Sequence, residues 1–101
     1  MKKVIIESPY AGDVEKNIDY ARKCVKDSLS RGEAPIASHL LYTQPGILDD
    51  NERKLGIAAG LEWLEVADIH AFYVDLGWSA GMKAALAKST SKVEIRKIIK
   101  T

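Results

Sequence analysis

The side chains able to do chemistry gather at a few places in the sequence. Ser8-Pro9-Tyr10-Ala11-Gly12-Asp13 offers hydroxyls, a ring for stacking, and a glycine that lets a ligand approach the backbone. Asp75-Leu76-Gly77-Trp78-Ser79-Ala80-Gly81 repeats that arrangement, with Ser79 and Gly81 as natural contacts for an anion at a helix start. Ser38 and His39 place a hydroxyl beside an imidazole that can carry a proton near neutral pH. Glu7, Asp13, Asp68 and Asp75 are acids of the kind that act in pairs on a glycosidic bond. Each feature also has a plainer reading. Gly12 with Asp13 makes a turn and an N-cap, Ser79 is a good cap, Trp78 fills a core or a subunit interface as readily as it stacks on a base, and a lone histidine is more often structural.

Other chemistry is disfavoured. Cys24 is the single cysteine, so it has no internal disulfide partner and no second thiol for a metal site, as expected in a reducing cytoplasm. Neither His39 nor His70 stands at metal-ligand spacing, and neither a metal nor an organic cofactor is expected. Fifteen Lys and Arg against 14 Asp and Glu leave a charge of +1, too small for a sequence-independent grip on phosphate backbones, so no nucleic-acid partner is expected. The longest uncharged apolar run, residues 55–61, is far short of the roughly 20 residues that span a bilayer. Lys2-Lys3 leads into only three apolar residues before Glu7, so neither a membrane segment nor a signal peptide is expected.

These residues must be held by elements. A length of 101 residues with 47% hydrophobic and 29% charged side chains implies one globular domain over residues 1–101. Val4-Ile5-Ile6 reads as a buried strand, and a helix follows over residues 14–31, capped by Asp13 and stopped by Gly32. Residues 34–38 form a second strand with Pro35 near its start, and His39 to Asp50 reads as a long loop of the kind that holds function. A helix over 51–66, a strand over 68–74, a short helix from Ser79 to Lys88 and a last strand over 93–99 complete the pattern β-α-β-α-β-α-β. Such alternation predicts a three-layer Rossmann-like or flavodoxin-like α/β sandwich with a small parallel sheet of about four strands. Ligands in such sheets bind beyond the carboxyl ends of the strands, which selects residues 8–13, 38–44 and 75–81. The small residues of Gly56-Ile57-Ala58-Ala59-Gly60 let a second helix approach closely, inside the fold or across a dimer interface.

The strand leading into Ser8-Pro9-Tyr10, the strand 68–74 after Ala67, and above all Gly77-Trp78-Ser79-Ala80-Gly81-Met82-Lys83-Ala84-Ala85 resemble the nucleoside 2-deoxyribosyltransferase-like superfamily over nearly the whole chain. Ser38-His39-Leu40-Leu41-Tyr42-Thr43-Gln44-Pro45-Gly46 resembles its small phage-type branch. The resemblance implies a nucleoside or nucleotide ligand and a homo-oligomer, dimer or higher, whose neighbouring subunits often complete the site. Enzymes of the superfamily attack the anomeric carbon with a glutamate on the helix after a Ser/Gly turn. Here that position falls at Ala85, or at Lys83 in a neighbouring register, and neither side chain forms the glycosyl ester. The first carboxylate after Asp75 is Glu94, on the last strand.

The leading expectation is therefore a nucleotide binder without that nucleophile, a phage protein sequestering an ADP-ribose type of immune signal in the host cytoplasm. Its ligand contacts are expected among Ser8, Pro9, Tyr10, Gly12, Asp13, Ser38, His39, Asp75, Gly77, Trp78, Ser79 and Gly81. The alternative is an N-glycosidase or deoxyribosyltransferase of changed mechanism, with Glu7, Asp13 or Asp75 activating water. A third class is an interaction module displaying Trp78 and the 39–50 loop.

Overall fold

The computed structural model describes residues 1–99, apart from the side chain of Asp50. Its centre is β1 (Lys3–Glu7), whose Val4, Ile5 and Ile6 are all buried because a parallel sheet is covered on both faces. Asp13 caps α1 (Val14–Ser30) by accepting from the Lys16 amide at 3.2 Å, and the chain then passes Gly32 in a left-handed conformation into β2 (Ala34–Ile36). A single helical turn α2 (Ser38–Leu41), the helix α3 (Arg53–Glu62), β3 (Ile69–Tyr73), α4 (Ala80–Ala87) and β4 (Lys92–Arg96) follow.

The strands are all parallel in the order β2-β1-β3-β4. This is the expected Rossmann-like or flavodoxin-like α/β arrangement, with strand order reversing between β1 and β3. Alternation along the strands sorts the two faces. Val4 and Ile6 join Ile69, Ala71 and Tyr73 against Tyr20 and Cys24 of α1, while Phe72 on the other face packs on Met82 and Ala85 of α4.

Over β4 the α1 face is charged rather than apolar. The Arg96 guanidinium is 3% exposed and grips both Glu33 carboxylate oxygens at 2.8 Å, with Glu94 and the Tyr73 hydroxyl beside it. At the opposite edge, the Ala34 amide donates to Lys2, so Pro35 falls where an amide would point away from the sheet, and β2 is blunted against further strand pairing.

Several boundaries differ from the sequence expectation. The second strand ends at Ile36 because Ser38 already begins α2, so part of the expected 39–50 loop is helical. The expected helix over 51–66 is α-helical only over its middle, and tightens into 3-10 turns at Asp50–Glu52 and Trp63–Val66. The last strand spans Lys92–Arg96 instead of 93–99, because the amides of Ile98 and Ile99 turn away to the Asp75 carboxylate, each at 2.9 Å.

Candidate functional site

Beyond the carboxyl ends of the strands the chain encloses a cleft of about 510 Å³. Four segments build it: Glu7, Ser8 and Tyr10 at the end of β1, Ser38 and His39 at α2, Arg53, Gly56 and Gly60 of α3, and Ser79 with Gly81 at the start of α4. A larger hollow of about 650 Å³ lies toward the amino ends of β1 and β2, among Leu29, Ile36, Trp63 and Val66. That hollow is nearly all apolar, whereas the cleft combines an apolar wall with convergent polar groups, the pattern of a small-molecule site.

Local structure explains how the cleft is held open. The Asn17 side chain donates to the carbonyls of Tyr10 and Ala11, both at 3.0 Å, and so pins the turn after β1, where Gly12 takes a φ of +98°. Gly60 of α3 lies against α2 so closely that a Cβ there would stand 2.6 Å from Ser38 Oγ. The glycine pair of α3 thus packs internally, with Gly56 facing Leu48. At the fourth wall Ser79 caps α4 by accepting from the Met82 amide at 3.1 Å, and Ser79, Ala80 and Gly81 at that helix start line the cleft.

The polar groups form two hydrogen-bonded sets. Ser8 Oγ and His39 Nε2 are 2.7 Å apart. Burial pushes the His39 imidazole below its ordinary value while the Glu7 charge opposes it, so at neutral pH the ring is uncharged and offers one donor and one acceptor. On the other side of Glu7 stands His70, fully buried, with Nε2 at 3.3 Å from Glu7 Oε1 and Nδ1 at 2.8 Å from the Ser89 hydroxyl. Arg53 and Lys88 supply positive charge to the rim. Among the described residues no group of three His, Cys, Asp or Glu side chains is arranged to hold a metal ion.

The remaining residues singled out in the sequence stand elsewhere. The Asp75 carboxylate accepts from the Tyr20 hydroxyl at 2.5 Å and from the amides of Ile98 and Ile99, and does not line the cleft. Asp13 caps α1, and Asp68 accepts from the Lys3 amide at the amino end of the sheet. Gly77 turns the chain at φ +87°, and Trp78 stacks on Phe72 with ring centroids 5.3 Å apart. Pro9, like Gly12 and Gly77, is outside the lining. His70, Arg53 and Lys88 entered no expectation as site residues, and Tyr42 entered only as part of the segment 38–44. For His70 a signal was available: on a strand alternating Ile69, Ala71 and Tyr73 inward to α1, His70 must share the face of Glu7.

The four parallel strands and the cleft at their carboxyl ends define an α/β protein of the Rossmann-like or flavodoxin-like class. The chain is similar to the 2-deoxyribosyltransferase from the psychrotolerant bacterium Bacillus psychrosaccharolyticus, with a TM-score of 0.57 and 17% identity over 97% of this chain and 77% of that one. At this identity the likeness is one of fold. Residues 2–98 match the family described as Domain of unknown function (DUF7768), and the chain belongs to that family. No curated protein matches it. Among the described residues no helix is long and apolar enough to cross a membrane.

Proposed function

We propose that the cleft binds a nucleoside or nucleotide. The observation that carries this reading is the convergence of an acid, Glu7, with Ser79 and Gly81 at the N-terminus of α4 in one cleft of about 510 Å³. The acid suits the hydroxyls of a sugar or the amino group of a base, and the helix start, with Lys88 and Arg53 on the rim, suits a phosphate. Tyr10 and Tyr42 supply rings for a base.

The reading favours a binder over the superfamily's covalent enzyme. Ala84 and Ala85 line the cleft on α4 and Lys83 does not, so an alanine occupies the place where the resemblance calls for a glutamate. The narrower form is a phage protein that sequesters an ADP-ribose type of nucleotide in the host cytoplasm, supported by that alanine and by the phage-like stretch from Ser38 to Gly46. Self-association belongs to the same reading, supported by Leu55 and Ile57 of α3, which are 59% and 53% exposed.

A second reading rests on Glu7 itself. As an acid lining the cleft, beside His70 and at the end of β1, it can take a proton from a water whose oxygen bonds to the anomeric carbon. The carbon–nitrogen bond then breaks with its electron pair going to the base, and Glu7 returns the proton to that base. Asp13 and Asp75, held in a helix cap and a hydrogen-bond network, are less suited to this work.

Native mass spectrometry with adenosine, AMP, deoxynucleoside monophosphates and cyclic ADP-ribose isomers tests these readings together. An intact bound nucleotide supports the binder, and released base supports the glycosidase. Capture of neither, with the protein folded, would sink both and leave an interaction module.

A further inference from the structure

His70 lies behind Glu7, outside the lining of the cleft, with both ring nitrogens away from solvent. It enters from β3 on the sheet face shared with Ile5 and Glu7 of β1. Nδ1 is satisfied by the Ser89 hydroxyl at 2.8 Å, just beyond α4. Nε2 has no hydrogen-bond partner among the described residues, and the group it faces is Glu7 Oε1 at 3.3 Å. An unpartnered nitrogen in a core is costly, and such an atom in a native structure calls for a reason. Packing alone does not account for the polar ring, because its contact with Phe72, 4.4 Å away between centroids, uses none of its hydrogen-bonding capacity.

We propose that His70 is a positioning residue for Glu7: its Nε2–H holds one carboxylate oxygen and leaves the other to accept an O–H or N–H donor from a ligand in the cleft. The inference rests on the reading of the cleft as a nucleoside or nucleotide site. The chemistry selects one tautomer. An ionised carboxylate only accepts, so a neutral ring attracts it only with the proton on Nε2, and Nδ1 must then accept from Ser89. Ser89 therefore sets the proton's place on the ring, and the ring sets the orientation of the acid. At 3.3 Å the two atoms are within hydrogen-bond distance but out of line, and the pairing requires a small rotation of the Glu7 carboxylate to align them. Tyr10, His39, Tyr42, Asp49, Arg53 and Lys88 are the other titratable groups around the same cleft, and none of them makes the contact with Glu7 Oε1 that His70 makes.

The pair can be read directly in the uniformly nitrogen-15-labelled full chain by two-bond proton–nitrogen spectra of the imidazoles. The expected result is a His70 ring protonated at Nε2, whose Nε2 resonance moves in Glu7→Gln while the backbone amide spectrum stays native. AMP or adenosine should move the same resonance in the wild-type protein and much less in Glu7→Gln. His70→Gln, which keeps an N–H donor, should bind AMP within about threefold of wild type, whereas His70→Leu should lose about tenfold. A proton on Nδ1, or a Nε2 resonance indifferent to Glu7→Gln, overturns the proposal. Failure of every nucleotide to bind, with the tautomer and its response to Glu7→Gln intact, overturns the reading of the cleft and leaves the pair standing.

Discussion

Tyr20 and Asp75 bond to each other twice: the Tyr20 hydroxyl donates to the Asp75 carboxylate at 2.5 Å and accepts from the Asp75 amide at 3.0 Å. One side chain of α1 thereby fastens the turn that leaves β3. The same carboxylate receives the amides of Ile98 and Ile99, so it also ties down the segment after β4. Burial alone would raise the Asp75 carboxyl, but the Tyr20 hydroxyl and these amides outweigh it and hold the group below its ordinary value of 3.8. The expected role is structural. Tyr20→Phe and Asp75→Asn should each lower stability by about 1.5 to 3 kcal/mol in urea unfolding and leave nucleotide affinity within a factor of about two. Because the folded value is depressed, the carboxylate's contribution is present above pH 3.8 and is lost as pH falls through the folded value, so the penalty of Asp75→Asn should shrink in acid. A selective loss of ligand binding in Asp75→Asn would return this residue to the site.

His39 adds a second loss of stability in acid, one that begins at higher pH. Burial depresses its imidazole below 6.5, with the Glu7 charge working against that shift. Below pH 6.5 the unfolded chain takes up a proton that the folded protein refuses, so stability should decline as pH falls from 6.5 toward the folded value and then level off. His39→Gln should flatten that part of the profile. Denaturation midpoints of the two proteins at about pH 7.5 and 5.5 make the comparison, and parallel declines would show that another group is responsible.

Arg96 holds the edge of the sheet through a fork that lysine cannot copy. Its two terminal nitrogens meet the two oxygens of Glu33, and the Tyr73 hydroxyl accepts from the same guanidinium at 3.1 Å while donating to Asp27 at 2.7 Å. Removing the cation leaves Glu33, 13% exposed, without its charge partner. Arg96→Ala should cost about 3 kcal/mol, and Arg96→Lys should recover less than half of it. Thermal unfolding of the two variants provides the check, since near-native melting of Arg96→Ala would show that solvent replaces the fork.

The two glycines of α3 should respond differently to a methyl group. At Gly60 an added Cβ meets Ser38 Oγ at 2.6 Å and Ser38 Cβ at 3.1 Å, so α2 and α3 must part where they wall the cleft. At Gly56 the obstacle is the tip of Leu48 at 2.9 Å, which can rotate away. Gly60→Ala should lose about 1 to 3 kcal/mol and weaken nucleotide binding, whereas Gly56→Ala should be close to neutral, because alanine also favours the helix. Equal effects at both positions would contradict the packing described.

The fold was legible because its signals are local. A β-branched run at Val4-Ile5-Ile6, an N-cap at Asp13 and another at Ser79 place strands and helix starts without knowledge of any partner. The alternation of elements then leaves few topologies, and a parallel sheet requires its loops to meet at one edge. That reasoning reached Glu7, Ser8, Tyr10, Ser38, His39, Ser79 and Gly81, all of which line the cleft. Asp75, Gly77 and Trp78 belong to the same edge by sequence, yet a carboxylate bonded to Tyr20 and an indole stacked on Phe72 are settled by side chains distant in the chain. The same holds for His70, whose neighbours Glu7 and Ser89 lie 63 positions before it and 19 after it. Spacing within a strand tells which face a residue occupies, but which groups share that face depends on strand order and register, and those arise only when the sheet closes around its core. The sequence alone thus determined the elements and the sheet edge where their loops meet, and the tertiary structure decided that Glu7 faces the cleft there while Asp75 holds the protein together.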